Sequence, residues 1–293
     1  LSESGTDFDP SAATSPAVKR GAFVSFGSAA VAAASAGALA QSEVGKPHTP
    51  FVSETDPQIV VFKPVLVSAN RQINSYAAVP KDAPPRTPGV VVTMAIWGID
   101  AQLRDTVRRL AKAGYVAIAP DLYSSFGPPS GDGTSDFEIF RPLAQKLVPE
   151  EVTSDLAAGA QWIRTRLPAA TDVTTKVGLI GFCMGGAITL KQTINNPSPY
   201  DAASAFYGNP ASLDPKAVKV PLMGSYGARD TSIPAAGVTE FYGAMTYPHE
   251  VKIYADAGHA FMDDTRKSYV PRDADDAWKR LIRWFRYYLY DAR

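Results

Sequence analysis

The sequence predicts an α/β fold: a mainly parallel central sheet flanked by helices, with an antiparallel N-terminal hairpin. Three observations predict it. Short unbroken apolar runs such as Gly89–Met94 (GVVVTM) read as parallel strands buried on both faces. Segments with helical spacing alternate with these runs over short connections, the pattern of right-handed strand–helix–strand units. Two strand-like runs near the start, Gln58–Ser68 and Gln72–Val79, are separated only by Ala69-Asn70-Arg71, as in a hairpin.

Pro64 places the first of these runs at a sheet edge, because proline has no N–H to give to a ladder, and Pro80–Pro88 is a turn. After the strand at Gly89–Met94, Ala101–Lys112 carries Leu103, Val107, Leu110 and Ala111 on one helical face, and Gly114 closes that helix. Tyr115–Ala119 is the next buried strand. Phe137–Leu147 and Glu150–Leu167 read as helices; Pro142 interrupts the first, and Pro149 with Glu150-Glu151 opens the second. Strands follow at Lys176–Ile180, Ala202–Phe206, Val220–Ser225 and Glu250–Tyr254, and helices at Met184–Asn195 and Ala235–Met245. Ala274–Tyr290 is the closing helix, with Trp278, Leu281, Ile282, Phe285 and Leu289 on its apolar side. The elements form one domain from residue 58 to 291.

Composition narrows the function. The 293 residues carry 29 Lys+Arg against 29 Asp+Glu, without the basic excess of a nucleic-acid binder. A single cysteine excludes an internal disulfide and a cysteine-based zinc or iron–sulfur centre. A small-molecule partner is the expectation, with no nucleic acid; composition leaves the oligomeric state open.

Residues 1–40 form a separate segment. Lys19-Arg20 precedes an uncharged Ala/Gly/Ser-rich stretch that ends in Ala38-Leu39-Ala40, the layout of an export signal. Its mild hydrophobicity suits export better than a membrane anchor. The expected location is therefore periplasmic or secreted, the other reading being a cytoplasmic chain with an N-terminal extension. Residues 41–57 read as a linker.

The chemistry gathers at the only cysteine. Gly181-Phe182-Cys183-Met184-Gly185-Gly186 follows a strand and opens a helix, the geometry of a nucleophile elbow with thiol in place of hydroxyl. Small residues are needed two positions either side of a nucleophile in such a tight turn, and the helix N-terminus favours thiolate. A buried structural cysteine is the plain alternative. Of three histidines, His48 lies in the linker and His249 looks like an exposed strand-end residue, which leaves His259 after the last strand as the base. Asp230, after the strand Val220–Ser225, is the orienting carboxylate; Asp256 competes for that role but reads as a turn former. The order Cys183…Asp230…His259 is the nucleophile–acid–histidine order of α/β-hydrolases.

In these segments, together with Ala119-Pro120-Asp121-Leu122-Tyr123 and Gly258-His259-Ala260-Phe261, the chain resembles the dienelactone hydrolase (carboxymethylenebutenolidase) family. The resemblance runs from about Gln58 to Tyr290. It implies an α/β-hydrolase fold and cofactor-free ester or lactone hydrolysis by a Cys183-His259-Asp230 triad through a thioacyl-enzyme. It also implies an oxyanion hole from the backbone N–H groups of Met184 and Ile96. Two segments depart from the family pattern. Ala95 stands where a glutamate commonly touches the resting thiol, and Met262-Asp263-Asp264 stands where an arginine often meets a substrate carboxylate, with Arg266 further on. A non-catalytic binding protein of the same fold is the alternative that Ala95 raises; a peroxidatic thiol protein is a more distant one. Trp97, Tyr123, Phe182 and Phe261 are read as an apolar substrate pocket, or else as ordinary core aromatics. The Gly/Pro-rich loop Ser124–Asp136 reads equally as a lid or a surface loop, and Arg141 and Arg229 as anion contacts or, more simply, as solvated surface charges.

Overall fold

A computed structural model describes residues 50–291, apart from Ser130, Gly133, Ser135 and residues 167–174. The expected export segment, most of the linker and His48 lie outside the described residues.

The hairpin region holds three strands rather than two. β1 (Ile59–Phe62) and β2 (Val65–Ser68) are separated at Lys63-Pro64, and both pair antiparallel with the ten-residue β3 (Arg71–Pro80). The break falls at Pro64, which cannot donate to a ladder. Ser68 pairs with Arg71, so the turn is the two residues Ala69 and Asn70, both at positive φ, as the twist of a tight hairpin demands.

β4 (Gly89–Thr93), β5 (Val116–Pro120), β6 (Val177–Phe182), β7 (Ala202–Phe206) and β8 (Leu222–Gly227) are buried along their whole length. With β9 (His249–Tyr254) they form the parallel part of one nine-stranded sheet. The order is β1-β3-β5-β4-β6-β7-β8-β9, with β2 beside β3. Being covered on both sides is why these strands read as continuous apolar runs instead of alternating ones.

Helices α1 (Ala101–Lys112), α2 (Phe137–Gln145), α3 (Pro149–Arg166), α4 (Met184–Asn195), α5 (Ala235–Gly243) and α6 (Pro271–Phe285) complete the chain. Side chains of α3, α4 and α5 meet the sheet at Gly89, Gly181 and Gly224, which the strand register puts on one face. α6 reaches the opposite face at Gly178, and Arg109 of α1 stacks 3.9 Å from the Trp278 ring of α6. α6 begins three residues earlier than the apolar pattern suggests, because Pro271 is a ready first residue for a helix. From Arg286 to Asp291 the coil widens to a π-helix. Leu281, Phe285 and Leu289 are buried as expected, with Trp284 beside them, while Trp278 and Ile282 are half-buried.

Among the described residues no helix is long and apolar enough to cross a membrane.

Candidate active site

The chain reverses direction across the sheet at β4. It leaves β4 for β5 on one side and then returns past it to β6 on the other. Connections that part in this way open a crevice beyond the carboxyl ends of the strands. The residues after β4 and after β6 line that crevice.

After β6 comes Cys183, at φ 54° and ψ −114°, where a residue bearing a Cβ is strained. The neighbours show why glycines flank it. A Cβ on Gly181 would run into the Gly185 carbonyl, and one on Gly185 into the carbonyls of Thr93 and Met94. The Cys183 amide donates to the Phe206 carbonyl (3.1 Å), which ties the turn to β7. Cys183 is half-buried and faces a cavity of about 450 Å³, within the usual range for small-ligand sites.

His259 and Asp230 meet across the loops that follow β9 and β8. The Nδ1 of His259 lies 2.7 Å from Asp230 Oδ2. The carboxylate is almost sealed, 1% exposed against 34% for the imidazole. Its other oxygen accepts the amides of Ser232 (2.9 Å) and Ile233 (3.1 Å), so the group that orients the ring is itself held by backbone. With Nδ1 engaged, Nε2 is the ring nitrogen available to Cys183, which lines the same cavity. Burial works against the charged imidazole. The hydrogen bond and charge of Cys183 and then those of Asp230 outweigh it, and the pKa of His259 rises to about 9. Asp256, the competing acid, is instead paired with Arg229 (2.7 Å) and Arg272 (3.1 Å) at the surface. His249 is half-buried rather than exposed, with Nδ1 2.8 Å from the Tyr247 carbonyl. Arg141 pairs with Glu138 in solvent.

Ile96 and Met184 line the cavity beside Cys183. Met184 is the first residue of α4, so its amide has no partner within the helix.

Of the four aromatic residues expected in the pocket, Trp97 and Phe182 line it and two do not. Tyr123 is fully buried and donates its hydroxyl to the Ile96 carbonyl (3.1 Å), which fixes the loop after β4. Phe261 is packed between Tyr207 and Tyr254, with ring centres 5.6 and 5.0 Å away. Ala260, at φ 60°, turns the chain between the partly exposed His259 and the sealed Phe261. Both rings support the site from behind. Sequence reasoning missed Tyr207, which ends β7's edge of the cavity with its ring centre 5.2 Å from that of His259. Its position one residue past a buried strand was the available signal, since β6, β8 and β9 all deliver site residues just beyond their carboxyl ends. Phe137 of α2 and Ile233 were missed as well.

The polar wall of the cavity is built on Arg266. Its Nε donates to Asp263 Oδ2 (2.8 Å), one terminal nitrogen donates to the Thr134 carbonyl (2.6 Å), and the other lies 3.5 Å from Asp100 Oδ2. The guanidinium also stacks 3.8 Å from the centre of the Trp97 ring. Asp100 caps α1 by accepting the Leu103 amide (3.0 Å). Burial first, then the nearby Asp263, push its carboxyl up to about 7, against the pull of Leu103 and Arg266. The loop before α2 abuts the same wall: Gly131 packs on the Trp97 carbonyl, and Asp132 accepts the Ala101 amide (2.6 Å) and pairs with Arg104 (2.7 Å).

A family model described as the dienelactone hydrolase family matches residues 73–289. A protein of Escherichia coli (strain K12) named "Putative carboxymethylenebutenolidase" is 34% identical over 252 residues, which cover 81% of this chain and 91% of that protein. One of the same name from Methylorubrum extorquens is 36% identical over 230 residues, covering 74% and 77% of the two chains. Among solved structures, a "Putative Dienelactone Hydrolase" from Klebsiella pneumoniae superposes with a TM-score of 0.68 at 33% identity, covering 78% of this chain and 98% of the other.

Proposed function

The chain belongs to the dienelactone hydrolase family, of α/β-hydrolase fold, and from that premise we propose that it hydrolyses a small-molecule ester or lactone with Cys183 as nucleophile, His259 as base and Asp230 as the base's anchor. One observation carries the reading: a sealed carboxylate holds one ring nitrogen of an imidazole that lines the same cavity as a half-buried thiol.

In this mechanism the Cys183 proton rests on His259 as an imidazolium beside the thiolate, and the sulfur attacks the carbonyl carbon. The developing oxyanion lies towards the amides of Met184 and Ile96, each such donor contributing about 3 kcal/mol. His259 returns the proton to the departing alkoxide oxygen, leaving a thioacyl-enzyme. Water, deprotonated by His259, then releases the acid and restores the ion pair. The high pKa of His259 suits both halves. Its main support is Cys183, and acylation removes that charge, so the imidazole becomes a free base when water must be activated.

The preferred substrate is uncharged. Arg266 is spent on Asp263, Asp100 and Thr134, and the buried Asp263 that lines the cavity disfavours an anion at close range. The export reading of residues 1–40 remains a proposal carried by the sequence.

Intact mass spectrometry after mixing with an activated short-chain ester tests the chemistry. The expected product is an adduct of one acyl group, absent from Cys183→Ala, together with loss of turnover in that variant. Turnover by Cys183→Ala, or wild-type protein that never acylates, sinks the mechanism; the second result favours a binding protein.

A further inference from the structure

A second cavity, of about 400 Å³, opens between the loop after β7 and helix α5. We propose that it is a subsite for an apolar arm of the substrate whose ester bond is cleaved at Cys183, an inference that rests on the hydrolytic reading above. Its walls include Pro210, Leu213, Val238 and Phe241, and it shares Asn209 and Ile233 with the cavity that holds Cys183. A chain passing over those two residues moves from the reacting sulfur into the second space. The divider is fixed, because the Ile233 amide is bound by the same Asp230 carboxylate that holds His259.

Gly237 bears on the occupant. It lies inside α5, where glycine weakens a helix, yet a Cβ there would meet nothing within 4 Å. No close packing requires a glycine at this position, and its bareness keeps the cavity wide. An alkyl or aryl arm suits the apolar walls; an anionic one would meet the Glu240 carboxylate at the rim.

The experiment uses two series of neutral esters, one lengthened in the acyl half and one in the alcohol half, each compared with its shortest member. In one series kcat/KM rises by about fourfold for each methylene that enters the cavity, then levels off when the space is full. In Gly237→Trp, whose ring fills the space, the ratio of long to short ester falls towards one, while Gly237→Ala keeps the gain. Thermal melting of both variants confirms that they are folded. A flat response in both series, or a gain that survives Gly237→Trp, overturns the subsite. Failure of the parent reading is distinct: the shortest ester is then not hydrolysed, or is hydrolysed equally by Cys183→Ala.

Discussion

At φ 54° Cys183 occupies backbone space that costs a residue of its kind about 1–3 kcal/mol. The strain persists because the glycines around it let the backbone after β4 and after β7 close on the turn. The consequence is a half-buried thiol that lines the same cavity as the His259 imidazole instead of being sealed in the core. Asp230→Asn keeps the size of the side chain but offers His259 Nδ1 an amide, so the ring is no longer fixed in the tautomer that serves Cys183. The expected loss in kcat is about 10³–10⁴-fold with the melting point little changed, measured by steady-state kinetics and calorimetry. The pH profile belongs to the same two residues. The folded-state pKa of His259, about 9, lies above the ordinary 6.5, so its charged pairing is complete below pH 6.5 and is lost as the pH rises through 9. The alkaline limb of kcat/KM should therefore fall near pH 9. In Cys183→Ala the main support of the imidazolium is gone, and the His259 titration followed by NMR should move to lower pH.

Helix α1 illustrates a conflict within one element. Asp100 caps it and satisfies the Leu103 amide, but the same carboxyl is buried against Asp263 and ionises only near pH 7. A carboxyl whose folded-state pKa is raised binds more protons folded than unfolded, so stability falls as the pH climbs from about 4 to 7. Asn is as good a cap as Asp and carries no charge. Asp100→Asn should thus melt close to wild type at pH 4 and above it at pH 8, by about 2–4 °C for each kcal/mol relieved. An equal difference at both pH values would remove Asp263 and burial as the cause. α2 shows another side of context. Its nine residues include Pro142, and Trp97 packs beneath it, 5.6 Å from Phe140 between ring centres, so tertiary contact outweighs a poor helix residue.

Across the whole molecule, the switch in strand order at β4 gathers loops from distant parts of the chain into one crevice. Arg266, Asp263, Asp100 and Thr134 come from three such loops, and together they give the cavity a wall with more acid than base. Matched substrates should expose this: a neutral diester should be turned over at least tenfold faster than its half-ester carrying a free carboxylate, in kcat/KM. Asp263→Asn removes one charge and loosens the guanidinium of Arg266, and should narrow that gap by about tenfold, or about 1.4 kcal/mol. Equal rates for the two wild-type substrates would show that the wall does not select by charge.

By itself the sequence determined the alternation of buried strands and helices, because strands covered on both faces must be continuously apolar. It also determined the tight turn at Cys183, because three glycines within six residues serve a backbone that leaves no room for Cβ atoms. The order of Cys183, Asp230 and His259 was legible in the same way, since each stands just past a strand. Tertiary structure alone decided that Tyr123 and Phe261 lie behind the cavity while Tyr207 and Ile233 line it, and that Arg266 is spoken for. An aromatic or an arginine reads the same in sequence whichever way its side chain turns; packing from elements far along the chain sets that direction.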